Sequence, residues 1–87
     1  MATITTHYQD NVNHCIWSLD PLLVSFNGNE FTQITHYLTK YDINISALDT
    51  KQVVTLLKQS SSKGLECTTQ QYKVLGSSET VYFIIEP

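Results

Sequence analysis

The sequence predicts an α+β domain: two or three helices packed on one face of a small antiparallel sheet that includes a C-terminal β-hairpin. Three observations carry this. Between Asn29 and Ser62 the apolar residues recur twice over at spacings of three and four, the period of an amphipathic helix. After Gly64 the period drops to two, as in half-buried strands. The chain has 87 residues, 41% of them hydrophobic, so residues 1–87 make one domain with a modest core. Two short helices cannot hide their apolar stripes on each other alone, so the strands must supply the second layer.

Taken in order, Ala2 to Tyr8 is β-branched and aromatic and reads as a short strand. In Asp10 to Leu19, Val12, Cys15, Ile16 and Leu19 fall at helical spacing with Asp10 as a cap. A helix is therefore preferred to a strand in which Cys15, Trp17 and Leu19 alternate with Ile16 and Ser18. Asp20-Pro21 ends that element, because the residue before proline avoids the helical region. Leu22 to Phe26 is too short for a helix and reads as a buried strand, turned by Asn27-Gly28. The first long helix comes next, with Asn29 as cap, Glu30 in its first turn, and Phe31, Ile34, Leu38 and Tyr41 on its inner face.

Asp42 to Ser46 links the helices, with Ile43 and Ile45 alternating. The second helix runs from about Asp49, capped by Ser46 or Asp49, with Val53, Val54 and Leu57 inward and Leu56 beside them. Ser60 to Ser62 followed by Lys63-Gly64 is expected to stop it. Leu65, Cys67 and Thr69 have the opposite parity to Tyr72 and Val74, which predicts a bulge near Thr69-Gln70-Gln71. Gly76 to Glu79 is a turn. Val81 to Ile85 is apolar on both faces, so this last strand is expected at a sheet edge. Its Tyr82 and Ile84 face would meet the N-terminal segment, a partner or a second copy of the chain.

Charge narrows the function classes. The charged fraction is 15%, well below the roughly 25% of an average chain, and a weakly charged polar surface favours association. All five basic residues are Lys, and without Arg there is no planar fork for phosphate or guanine. Residues 1–50 carry Lys40 against Asp10, Asp20, Glu30, Asp42 and Asp49, while residues 51–73 carry four Lys against Glu66. No apolar run approaches the roughly 18 residues of a membrane span, and the first residues lack the pattern of a signal peptide. Cys15 and Cys67 read as reduced, buried thiols of a cytoplasmic protein. His7, His14, His36 and the two Cys show no metal-ligand spacing, no motif activates either thiol and no Gly-rich phosphate loop is present. No metal, cofactor or catalytic residue is therefore expected.

One Trp and five Tyr are many aromatics for so small an interior, and such side chains are enriched at protein interfaces. Trp17, Tyr37, Tyr72, Tyr82 and Ile84 are the candidate contacts. The expected function is a non-enzymatic modulator or inhibitor that binds a larger protein, with a homodimer as a second candidate assembly. Ala, Gly and Pro are scarce while Ile, Asn, Tyr and Thr are common, a composition of AT-biased genes such as many phage and mobile elements carry.

From Asp10 to Glu86 the order of strand, helix, helix, strand, turn and strand resembles a winged helix in topology. The resemblance implies a DNA-binding transcription regulator whose second helix enters the major groove. Thr50, Lys51, Gln52, Thr55, Lys58 and Gln59 would then form the outward face of that helix toward the bases and backbone, with Lys63 and Lys73 near phosphates. The linker Asp42 to Leu48 is longer than the tight turn of that family.

Overall fold

The computed structural model describes residues 2–63 and 67–87, with the backbone alone for 61–63. Five strands and two helices succeed one another as β1 (Ala2–Asp10), β2 (Cys15–Ser18), β3 (Leu22–Val24), α1 (Glu30–Lys40), α2 (Ala47–Lys63), β4 (Thr68–Lys73) and β5 (Glu79–Glu86). All strand pairs are antiparallel, and the sheet order is β2-β1-β5-β4 with β3 also beside β1. Beyond the class itself, the hairpin at the C-terminal end is present as β4–β5.

The N-terminal segment is the centre of this sheet. One edge of β1 pairs with β5 from Thr3↔Glu86 to Asp10↔Glu79. Its other edge is shared, with β2 along His7 to Asp10 and β3 along Ala2 to Ile4. Alternation along β1 turns Ala2, Ile4 and Thr6 into the interior, where all three are buried. β5 lies between β1 and β4 and is not the edge strand expected from its position near the chain end. Val81, Phe83 and Ile85 have no exposed surface, while Tyr82 and Ile84 are half-buried on the opposite face. The expected bulge in β4 is absent, because the register runs without slip from Thr68↔Ile85 to Lys73↔Thr80. Tyr72 and Gln70 simply share the inward parity, and polar Gln70 masks the alternation.

The helix expected over Asp10 to Leu19 is a hairpin instead. Asp10 caps a turn and not a helix: its Oδ1 accepts the N–H of Val12 at 2.9 Å and of Asn13 at 3.4 Å. Its Oδ2 accepts from the Asn13 side chain at 2.9 Å. His14 completes the reversal at φ +58°, a left-handed conformation uncommon outside Gly. The Asn11 side chain donates to the Thr80 hydroxyl at 2.8 Å and ties the hairpin to β5. Pairing with β1 supplies backbone bonds that an isolated ten-residue helix would have lacked a layer to stabilise.

Both helices lie on one face of the sheet. α1 presents Ile34, Tyr37 and Leu38 inward, so its apolar face is rotated from the one expected: Phe31 is exposed and Tyr41 half-buried. Tyr37 wins that place because its hydroxyl finds a partner, donating to the Asp20 carbonyl at 2.6 Å. Burial holds the Tyr37 phenol above its ordinary pKa, with the Thr6 side chain pulling the other way. Asn29 stands at the N-cap without a side-chain cap bond. Entry to the helix is held by Gln33, which accepts from the Ser25 N–H at 3.0 Å and donates to the Ser25 carbonyl at 2.8 Å. Gly28, at φ +89°, makes the preceding turn.

In α2, Thr50, Val53, Leu57 and Ser60 face inward, and Ser46 is the cap, accepting the Asp49 N–H at 3.1 Å. The helix runs through Ser60–Ser62 and ends at Lys63, beside the expected Lys63-Gly64 stop. Residues 64–66, with the expected Gly64 stop and the parity of Leu65, lie outside the described residues. Cys15 and Cys67 are both exposed, not buried as expected. Ser60 is buried with its hydroxyl unpaired among the described residues. Ser60→Ala is therefore expected to raise stability by about 1 kcal/mol in a urea titration, through lost desolvation cost and better helix propensity. A loss of stability would show that the hydroxyl has a partner.

Candidate protein-binding cleft

The helices cover the middle of the sheet but not the end where β1 and β2 meet. There the exit from α1 makes one wall. The Asp42 N–H bonds the Thr39 carbonyl at 3.1 Å and the Ile43 N–H bonds the Leu38 carbonyl at 2.9 Å. This is a Schellman-type ending with Asp42 (φ +57°) in the left-handed position that glycine usually takes. It leaves Tyr41 and Asp42 at the rim and Ile43 at the floor. The opposite wall is the β1–β2 pair, where Trp17 lies across from Tyr8 with ring centroids 5.6 Å apart.

Between these walls is an open cleft of about 440 Å³ lined by Tyr8, Trp17, Ser18, Leu19, Tyr41, Asp42 and Ile43. Its side chains are braced from behind. The Tyr41 ring meets Tyr37 edge-on at 5.3 Å, its hydroxyl is 3.4 Å from Asp20 Oδ2, and Lys40 Nζ lies 5.4 Å from its centroid. Trp17 nevertheless remains 48% exposed, with Ile16 at 62% and Val12 at 68% on the same hairpin. The turn carboxylate of Asp10 is held below its ordinary pKa, first by the Val12 N–H and then by the Asn13 side chain.

Among the described residues the other face of the sheet carries no helix. Tyr82 donates to the Gln9 side chain at 3.1 Å there, with Ile84 one pair along. His7 Nδ1 and Ser18 Oγ, neighbours across β1–β2, are 2.9 Å apart on the same face. That is a nucleophile–base distance, but among the described residues no acid orients the imidazole, and the pair is solvated like any cross-strand contact. Among the described residues no three His, Cys, Asp or Glu side chains gather to hold an ion.

The sequence-derived contacts are therefore divided. Trp17 lies in the cleft and Tyr82 and Ile84 lie on the open face, whereas Tyr37 and Tyr72 are in the core. Burial raises the Tyr72 phenol's pKa, with Asp49 adding to the effect, and its hydroxyl donates to Gln52 at 2.9 Å. The basic set is divided too. Lys51, Gln52, Thr55, Lys58 and Gln59 are exposed on α2, but Thr50 is buried, not outward as expected, its hydroxyl donating to the Ser46 carbonyl, and Lys58 lies 3.9 Å from the buried Glu30 carboxylate. Lys73 alternates with Tyr72 and so points away from the helices, and the Lys63 side chain lies outside the described residues. Tyr8, Leu19, Tyr41 and Ile43 are site residues that sequence reasoning misses, since only the fold brings them to Trp17. No known protein family, curated protein or solved structure matches the chain.

Proposed function

We propose that this domain is a non-enzymatic protein-binding module that modulates or inhibits a larger protein, engaging it through the end where β1 meets β2. The single observation that carries the reading is the cleft. Its half-exposed Trp17, backed by Tyr8, Leu19, Tyr41 and Ile43, is the kind of aromatic anchor that dominates protein interfaces. The exposed Val12 and Ile16 add apolar surface to the same hairpin, and the low charge favours association. A phage or mobile-element source would suit such a small inhibitor.

The test is affinity capture from the natural host with wild type, Trp17→Ser and Lys51→Ala, each checked for native circular dichroism. Trp17→Ser is expected to weaken the captured partner at least about thirtyfold, the effect of losing a hot spot of about 2 kcal/mol. Lys51→Ala should bind as wild type. Partner binding indifferent to Trp17 would overturn the assignment of the surface.

A second reading, a DNA-binding regulator, draws on the exposed Lys51, Gln52, Thr55 and Lys58 along α2. It would show as retention on duplex DNA that falls steeply with salt and weakens in Lys51→Ala. The placement of Lys73 on the opposite side of the sheet, and the engagement of Lys58 and Gln52 with Glu30 and Tyr72, make it the weaker of the two.

A further inference from the structure

We propose that the free edge of β2 is a strand-addition site. Its occupant is an extended segment of another protein that turns a large apolar or aromatic side chain and, two residues along on the same face, a Lys or Arg toward the helix side. This names the mode and partner of the protein-binding reading above and rests on it. The backbone supplies the first argument. β2 is the outermost strand, and the Leu19 N–H donates to the Thr6 carbonyl at 3.0 Å. Main-chain groups alternate in direction along an antiparallel strand, so Cys15, Trp17 and Leu19 turn theirs toward β1. Ile16 and Ser18 then hold N–H and C=O outward, and among the described residues no segment pairs with them.

Edges are ordinarily blunted by very short length, which four-residue β2 has, or by Lys, Pro or a bulge within the strand. Cys15-Ile16-Trp17-Ser18 has no Lys, Pro or bulge, whereas the opposite edge, β4, is polar and ends in Lys73. The cleft supplies the second argument. A strand laid along β2 places every other side chain on the helix side beside Trp17, over Tyr8, Leu19, Tyr41 and Ile43. About 440 Å³ admits a large apolar or aromatic side chain. The side chains between these fall beside Ile16. Charge is the third. Asp42 lines the cleft and Asp20 lies behind Tyr41, with Lys40 the one cation at its rim among the described residues. A basic segment is favoured over an acidic one.

Trp17 is the only Trp, so its fluorescence reads the site directly. Displayed random twelve-residue peptides selected on the intact chain are expected to converge on sequences with an apolar or aromatic residue two positions from a Lys or Arg, whose synthetic forms shift the Trp17 emission. N-methylation of the peptide at alternate residues in one register should weaken binding at least tenfold, and in the other register leave it within about twofold. Ile16→Pro should match the damaging register while keeping native circular dichroism, because proline is tolerated where an edge N–H faces solvent. Asp42→Lys should weaken basic peptides further. No enrichment, or binding indifferent to methylation and to Ile16→Pro, overturns strand addition. If Trp17→Ser still abolishes host-partner capture while Ile16→Pro does not, side-chain docking stands and strand addition falls. Sedimentation showing a wild-type dimer that Ile16→Pro dissociates would make the occupant a second copy and overturn the assignment to another protein.

Discussion

Phe83→Ala is expected to remove about 3–5 kcal/mol of stability. Phe83 has no exposed surface and sits mid-strand in β5, opposite Thr6 on one side and Gln70 on the other. Its ring lies 5.8 Å from that of Tyr72 at 48°, so truncation forfeits a tilted aromatic pair as well as transfer energy. Folded domains hold only about 5–15 kcal/mol in total, and small ones the lower part of it. The variant should therefore lose half or more of its stability and show a large fall in the urea midpoint. Leu48→Ala, at a side chain that is 77% exposed, should change stability by less than about 0.5 kcal/mol. Equal costs for the two would contradict the placement of Phe83 at the sheet–helix interface.

The helices are legible because their period is written in residues that do not depend on the rest of the fold. Ile34, Leu38, Val53 and Leu57 are inward as their spacing requires, and all are buried. The phase of α1 is less legible. Phe31 and Tyr37 are both large and aromatic, and the choice between them is made by the Asp20 carbonyl, seventeen residues away from Tyr37. A partner at that distance leaves no mark on local periodicity.

Residues 10–19 mislead for a related reason. Val12, Cys15, Ile16 and Leu19 fit a helical wheel, yet three of them are exposed, and their apolar character serves no core. A helix preference drawn from apolar spacing assumes that apolar means inward. Here the better signal is Asp10-Asn11-Val12-Asn13, whose short polar side chains compete for backbone N–H groups and favour turns. The candidate site is legible only in Trp17. Its companions come from β1, the α1 terminus and the interhelical linker, so they become neighbours only through register.

The second large effect belongs to the strand at the start of the chain. Removing residues 2–8 is expected to abolish cooperative unfolding altogether. Among the described residues β3 pairs with β1 alone, and two of β2's four register pairs, Ser18 and Trp17, are with His7 and Tyr8. The deletion would also strip one edge of β5 along Thr3 to Tyr8 and remove buried Ala2, Ile4 and Thr6 from beneath the helices. Orphaned backbone groups and uncovered apolar surface together exceed what a small domain can lose. A graded version keeps the prediction testable if the deletion fails to express. Ile4→Ala, at 1% exposure and opposite Ile85, should cost about 2–5 kcal/mol. Thr69→Ala on exposed β4 should cost far less, about 0.5 kcal/mol or under. A truncated chain that retains a sharp urea transition and native near-ultraviolet dichroism would show that β4, β5 and the helices form a folding unit by themselves, and would remove β1 from the centre of the fold.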